Sequence, residues 1–379
     1  MTLEIYLDYA ASTPIDPRVV AAMSPYHGAA NPSSSHGPGR GAAAAVERAR
    51  QDVATLIGAA PTEIVFTSGA TEADNLAIGG VVQAAGLGHV VTSTAEHKAV
   101  LQSVTGRCPD ATILPVQRDG SVDPESVRAA LRADTVLVSI MAANNEVGTR
   151  SRVHDIGKIC RERDVLFHTD AAQLVGKLPF DVSAAPVDLM SISAHKMYGP
   201  MGVGALWVRR SIQHRVTAQM LGGGHERGLR SGTTNVAGCV GFGEAARIAG
   251  VEGSADEALS RGLRRRLIER LAETFDGAEV NGSLEDCVPG ILNVHLPAID
   301  AESLLLATPR VAASTGSACT SAVPAASHVL LAMGVGHIAA RQSVRLSFGR
   351  FSTPGEVDAA VEAFAASAEM VRDVAEVHA

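Results

Sequence analysis

Several side chains in this sequence stand where their types and spacing could do chemistry together. Ser191-Ile192-Ser193-Ala194-His195-Lys196 ends an apolar run with hydroxyl, imidazole and amine side by side. A lysine leaving a buried strand can act as a Schiff-base nucleophile. Asp170, in His168-Thr169-Asp170-Ala171-Ala172-Gln173, closes another apolar run, and open α/β sheets bind ligands at the carboxyl ends of their strands. Thr67-Ser68-Gly69-Ala70-Thr71-Glu72 follows a strand-like stretch and opens a helix-like one, so its N–H groups and hydroxyls suit a phosphate. A lysine for an imine, a carboxylate to keep a pyridine nitrogen protonated and a phosphate cradle together match the needs of pyridoxal phosphate. Cys319 lies in Ser314-Thr315-Gly316-Ser317-Ala318-Cys319-Thr320-Ser321. These small polar surroundings read as a loop, a setting for a reactive thiolate rather than a buried hydrophobe.

The elements that must position these groups are legible as a rhythm. Apolar, β-branched segments recur at Ile64 to Thr67, His89 to Thr92, Thr112 to Leu114, Val136 to Met141, Val165 to Thr169, Leu189 to Ser193 and Gly204 to Val208, with helix-like stretches between several of them. Strands apolar nearly throughout and alternating with helices predict a mostly parallel sheet covered on both faces. Asp123-Pro124-Glu125 sets a cap and an early proline before a helix running to Leu131. After about residue 245 the texture changes to a charged stretch through Arg264-Arg265-Arg266, read as an exposed helix face. A strand at Ser343 to Phe348 follows, then an amphipathic helix with apolar positions Val357, Val361, Phe364, Ala368 and Val371. The expected division is a large domain over 12–248 and a small α+β domain made of 1–11 and 249–379.

Composition narrows the class. The 379 residues are 46% hydrophobic with a formal charge of −8, a globular balance without the basic footprint of a nucleic-acid binder. No membrane span and no signal peptide are read from the sequence, so a cytoplasmic protein is expected. Five scattered cysteines without a CxxC argue against a disulfide framework or a Cys-type zinc site. Two GxGxx(G/A) matches, Gly37 to Ala42 and Gly241 to Ala246, follow no convincing strand and carry no dinucleotide reading.

Read together, the motifs Tyr6-Leu7-Asp8-Tyr9-Ala10-Ala11, TSGATEADNLAI, TAEHKAVL, NNEVG, HTDAAQ, SAHKMYGP, GGGHERGLRSGT, STGSACTS and Ser347-Phe348-Gly349-Arg350-Phe351 cover nearly the whole chain in order. With them the sequence resembles the cysteine desulfurases of the NifS/IscS type. The resemblance implies the aspartate-aminotransferase-like fold of pyridoxal-phosphate enzymes (fold type I), here an α/β large domain with a seven-stranded sheet plus the smaller α+β domain. It also implies roles. Lys196 would carry the cofactor, Asp170 would pair with its ring nitrogen, and His97 would stack on the ring and assist proton transfer. Asn145 and Gln173 would contact ring substituents; Ala70, Thr71, Ser193 and His195 would hold the phosphate. Thr233 would reach the neighbouring subunit's phosphate, which implies a homodimer with composite sites. Asn145 and Arg345 would bind the substrate, Arg345 by its carboxylate, and no metal is expected.

The implied reaction removes sulfur from L-cysteine, leaving L-alanine and a persulfide on Cys319 that passes to an acceptor protein. The chain ends at Val377-His378-Ala379 without the longer tail by which similar family members engage an iron–sulfur scaffold. Transfer-RNA thiolation, another thio-cofactor route or DNA sulfur modification therefore stand beside the scaffold as destinations. An aminotransferase or selenocysteine lyase on the same fold is the alternative, sharing Lys196 and Asp170 without requiring Cys319.

Overall fold

The computed structural model describes residues 5–316 and 326–377, with the side chains of 372–377 left aside. Its strands are β1 (Ile5–Tyr6), β2 (Ile64–Thr67), β3 (His89–Ser93), β4 (Thr112–Leu114), β5 (Thr135–Ser139), β6 (Leu166–Asp170), β7 (Leu189–Ser193), β8 (Gly204–Val208), β9 (Glu279–Asn281), β10 (Ile291–His295), β11 (Val311–Ala312) and β12 (Ser343–Ser347). Its helices are α1 (Pro17–Met23), α2 (Gly37–Leu56), α3 (Ala70–Ala84), α4 (Lys98–Arg107), α5 (Pro124–Ala130), α6 (Val153–Glu162), α7 (Val236–Thr274), α8 (Ala301–Ala307), α9 (His328–Ala332), α10 (His337–Arg341) and α11 (Pro354–Val377).

Seven strands form one sheet in the order β2-β8-β7-β6-β5-β3-β4. Only β8 runs against its neighbours; the other pairings are parallel. All seven expected segments became these strands, because β-branched runs buried on both faces are what a covered parallel sheet needs. The pairing of β6 with β5 and β7 sets Asp170 opposite Ser191. Asp170 and the β7–Lys196 turn thus leave the same sheet edge. Asp123 caps α5 as expected, accepting from the amides of Glu125 (3.3 Å) and Ser126 (3.2 Å).

The remaining chain builds a second sheet, β12-β10-β9, covered by α11 and the far end of α7 around Leu263, Leu267, Leu292, Val344, Val361 and Phe364. The 39 residues of α7 run through both cores, burying Phe242 and Ile248 in the first and Leu267 and Leu271 in the second. The expected boundary at 248 falls inside this helix. Both GxGxx(G/A) matches are helical, and Gly243 has a packing reason. A Cβ there would lie 2.5 Å from the Ala49 Cα, so the glycine lets α7 close on α2.

One expectation fails at the arginine run. Arg265 and Arg266 are exposed, but Arg264 is buried and its guanidinium donates to the carbonyl oxygens of Ile291 (2.5 Å) and Ser283 (3.3 Å). Leu263 and Leu267 point α7 into the core, and Arg264 shares enough of that face to follow them.

Candidate active site

Lys196 closes a short 3-10 turn, Ala194–Lys196, directly after β7. Its Nζ donates to the carbonyl oxygens of Ala10 and Ala11, both at 2.6 Å, so the amine faces the segment that precedes α1. Asp170 is the last residue of β6 and is 7% exposed; its carboxylate accepts from the Ala172 amide at 2.9 Å. Burial pushes the Asp170 carboxyl above its ordinary range, while the Ala172 amide and the charges of His97 and Lys196 pull it back. A buried carboxylate in that position calls for a cationic or N–H donor.

His97 caps α4: its Nδ1 accepts from the Ala99 amide at 3.2 Å. In the neutral ring this leaves the proton on Nε2, the atom free to exchange it. Desolvation lowers the His97 pKa, Asp170 opposes that, and Lys196 adds to it. Asp170, His97 and Lys196 therefore form one electrostatic cluster.

The helix start at Ala70 and Thr71 follows Gly69, whose φ of +155° and ψ of 179° suit a residue without Cβ. First-turn amides of a helix have no intrahelical partner. Nearby on β7, the Ser193 hydroxyl is buried without a hydrogen-bond partner among the described residues. His195 is held by Ser12 Oγ at 3.2 Å, with its pKa lowered to about 4 by burial and by Lys196 and Lys177. A neutral imidazole, an unsatisfied hydroxyl and free helix amides suit an anionic arm without opposing charge. Together with Asp170 and Lys196, this donor set fits pyridoxal phosphate. Among the described residues no group of three or more His, Cys, Asp or Glu could hold a metal ion.

Other expected residues are placed differently from one another. Gln173 is buried and spoken for: its Nε2 donates to Ala10 O at 2.8 Å and its Oε1 accepts from Lys177 Nζ. Asn145 meets Arg345 through its backbone carbonyl at 3.1 Å. Arg345, 5% exposed on β12, also pairs with Asp8 at 2.7 Å, and its Nε has no partner among the described residues. Thr233 is exposed, on a segment anchored by Glu226 to Arg50 (2.6 Å) and by Arg230 to Glu72 (2.7 Å). Cys319 lies outside the described residues. The other four cysteines are buried, as expected of structural thiols, and burial pushes Cys160 and Cys239 up to about 12.

Sequence reasoning missed the layer behind these groups. Glu96, fully buried, accepts from the Met141 amide at 3.0 Å and Ser93 Oγ at 2.8 Å, and its pKa is pushed up to about 8 by burial. Asp8 holds Arg345, Lys177 holds Gln173, and Asp74 sits under Asp170. Asp8, Asp74 and Glu96 all lie inside the motifs that carry the resemblance, and placement on the buried face of α3 is a further signal for Asp74.

The chain belongs to the aminotransferase class-V family, which it matches over residues 5–360. It is 52% identical over 384 residues to the cysteine desulfurase IscS of Anaeromyxobacter dehalogenans (strain 2CP-C), spanning 99% of this chain and 95% of that relative. Among solved structures it is similar to a NifS-like protein (TM-score 0.90, 36% identity, 97% of this chain and 100% of the other). It is also similar to SspA in complex with cysteine (TM-score 0.82, 35% identity, 92% and 99%). No helix among the described residues is long and apolar enough to cross a membrane.

Proposed function

We propose that this chain is a pyridoxal-phosphate-dependent cysteine desulfurase that takes sulfur from L-cysteine onto Cys319 and hands it to an acceptor protein. The observation that carries this reading is the single cluster of Asp170, His97 and Lys196 at one sheet edge. Relatives named as cysteine desulfurases and a neighbour solved with cysteine support it.

When bound, the cofactor supplies an electron sink that weakens bonds at the substrate's α and β carbons. Asp170 would hold the protonated ring nitrogen, Lys196 the aldehyde carbon, and Ala70, Thr71, Ser193 and His195 the phosphate. Arg345 would bind the substrate carboxylate with the edge that Asp8 and Asn145 leave open. Lys196 through Nζ and His97 through Nε2 would move protons at the substrate carbons. The Cys319 thiolate would attack the substrate sulfur. An S–S bond forms, the Cβ–S bond breaks with its electron pair passing to the carbon skeleton, and protonation yields alanine.

A homodimer would complete each site with Thr233 of the other copy. The segment 1–11 and 249–379 would form the unit that carries Cys319. A cytoplasmic setting suits a persulfide carrier. The acceptor would be an iron–sulfur scaffold or a protein of tRNA thiolation or DNA modification.

The test is to incubate the protein with cysteine, quantify alanine, and locate the added sulfur by mass spectrometry. Sulfur is expected on Cys319. Cys319→Ala should keep the cofactor's absorbance and lose persulfide; desulfuration by that variant at the wild-type rate would refute the nucleophile.

A further inference from the structure

Glu146 is a buried acid for which neither the cofactor nor the substrate contacts have a use. It follows Asn144 and Asn145 in the turn that carries the Arg345-binding carbonyl. Asn144 Oδ1 accepts from the amides of Glu146 (2.8 Å) and Val147 (3.0 Å), while Asn144 Nδ2 donates to the Ala95 carbonyl at 3.0 Å. The turn is therefore fixed to the strand end that presents Glu96 and His97.

The Glu146 carboxylate reaches two places far apart in sequence. Ser327 Oγ donates to its Oε2 at 2.5 Å, and the same hydroxyl accepts from the Leu330 amide at 3.1 Å as the cap of α9. On the other side stands Gly316, with φ +83°. A Cβ built there would lie 2.6 Å from the same Oε2, so glycine is what lets this backbone lie against the carboxylate. Gly316 is in turn tied to Arg345: its amide donates to Ser314 Oγ at 3.0 Å, and the Arg345 amide donates to Ser314 O at 2.7 Å.

One carboxylate oxygen thus meets the chain on both sides of residues 317–325. We infer that Glu146 is a positioning residue that bonds Ser327 and seats the Gly316 backbone by close packing against the turn supporting Arg345, fixing both flanks of the segment that contains residue 319 relative to the bound substrate's carboxylate. This rests on the reading of Cys319 as sulfur acceptor. It adds that the acceptor's approach is set by a buried acid touching neither cofactor nor substrate. Removing the acid should slow sulfur transfer without weakening cysteine binding, because Arg345 meets Asn145 and Asp8 rather than Glu146.

The experiment uses the cofactor-loaded protein. Glu146→Ala, Glu146→Gln, Ser327→Ala and the Glu146→Ala/Ser327→Ala double variant are compared for kcat, KM and cofactor absorbance. Hydrogen exchange is followed in peptides spanning 311–316 and 326–333. In Glu146→Ala, both flanks should exchange faster and kcat should fall roughly ten- to hundredfold, with absorbance unchanged and KM within about twofold. Glu146→Gln, whose amide oxygen can still accept from Ser327, should restore most of the rate. The double variant should be no slower than Glu146→Ala, since the two residues act through one bond. Unchanged exchange at either flank, additive losses, or a loss confined to KM would overturn the inference. Should Glu146→Ala not fold, Ser327→Asp keeps the helix cap and sets a second carboxylate against the first. Faster exchange at Gly316 then supports the clamp and unchanged exchange overturns it. A wild-type protein that makes no alanine from cysteine would remove the desulfurase reading, while the exchange measurement would still decide the clamp.

Discussion

The Asp74 carboxylate lies 3.7 Å from Nε2 of His168, both side chains sealed from solvent beneath Asp170. His168 hydrogen-bonds Ser139 Oγ (2.8 Å) and Ser191 Oγ (3.0 Å) through its two nitrogens, and neither Asp74 oxygen has a hydrogen-bond partner among the described residues. Two hydroxyls satisfy a neutral imidazole, so the pair is no ordinary salt bridge. Burial and the neighbouring charge of Asp170 hold Asp74 well above the usual carboxylate range. Burial raises both acids, and the charge of Asp170 raises Asp74 further.

Asp74→Asn should therefore stabilise the protein at neutral pH. An acid whose folded pKa exceeds its unfolded one binds more protons when folded, so its contribution is present at low pH and lost as pH rises. Urea unfolding at pH 5 and pH 8 should show the variant's advantage growing with pH. A variant less stable than wild type at pH 8 would contradict the neutral-acid assignment.

His168 works in the opposite direction. Burial lowers its pKa to about 3, so below about pH 6.5 the unfolded chain binds a proton that the folded chain refuses. Stability should fall as pH drops from about 6.5 toward 3, and His168→Gln should flatten that slope. His195, at about 4, adds to the same loss and would remain in the variant.

His97→Ala removes the cap of α4 along with the Nε2 proton. Turnover should drop about 10²–10⁴-fold while the cofactor stays bound, because Lys196 and Asp170 remain. Lys196→Ala should lose the cofactor's bound-state absorbance and all turnover. Absorbance spectra and alanine assays distinguish the two.

Arg345→Lys keeps the charge but not the planar fork. An ammonium has its three donors on one nitrogen and cannot span the positions that Nη1 and Nη2 take toward the Asn145 carbonyl and Asp8 while still meeting a substrate carboxylate. KM for cysteine should rise at least tenfold, about 1.4 kcal/mol, with kcat less affected. An unchanged KM would return Arg345 to the role of ion-pair partner for Asp8.

Arg350 binds Asp16 (2.8 Å) and Asp256 (2.7 Å) and lies 4.3 Å above the Tyr198 ring, and its amide donates to Tyr198 Oη at 2.7 Å. Arg350→Ala leaves Asp256 without its partner and Asp16 with Arg18 alone (2.7 Å), and should cost about 3 kcal/mol. Denaturant midpoints measure it. Because Tyr198 follows Lys196 by two residues, cofactor affinity should fall with stability.

The sheet was legible because burial on both faces writes itself as uninterrupted Val, Ile and Leu, and no other element imitates that so regularly. Lys196, Asp170 and the start of α3 were legible because they stand at strand ends, where polar residues interrupt apolar runs. Arg264 was not, since its neighbours Arg265 and Arg266 give the same signal from the opposite face of α7. Asp74, Glu96 and Glu146 were hidden for a related reason. Glu96 and Glu146 take an amide and a hydroxyl from residues 45 and 181 positions away, Asp74 lies against His168 and feels Asp170, and no local pattern encodes such meetings.

The length of α7 has a thermal consequence. At about 1.5 Å per residue it is a single rod of hydrogen bonds on which the Lys196 half and the Arg345 half both hang. Neither can come apart on heating without stripping the rod from the other. Calorimetry should record one endotherm, and the temperature at which enzyme activity disappears should coincide with it.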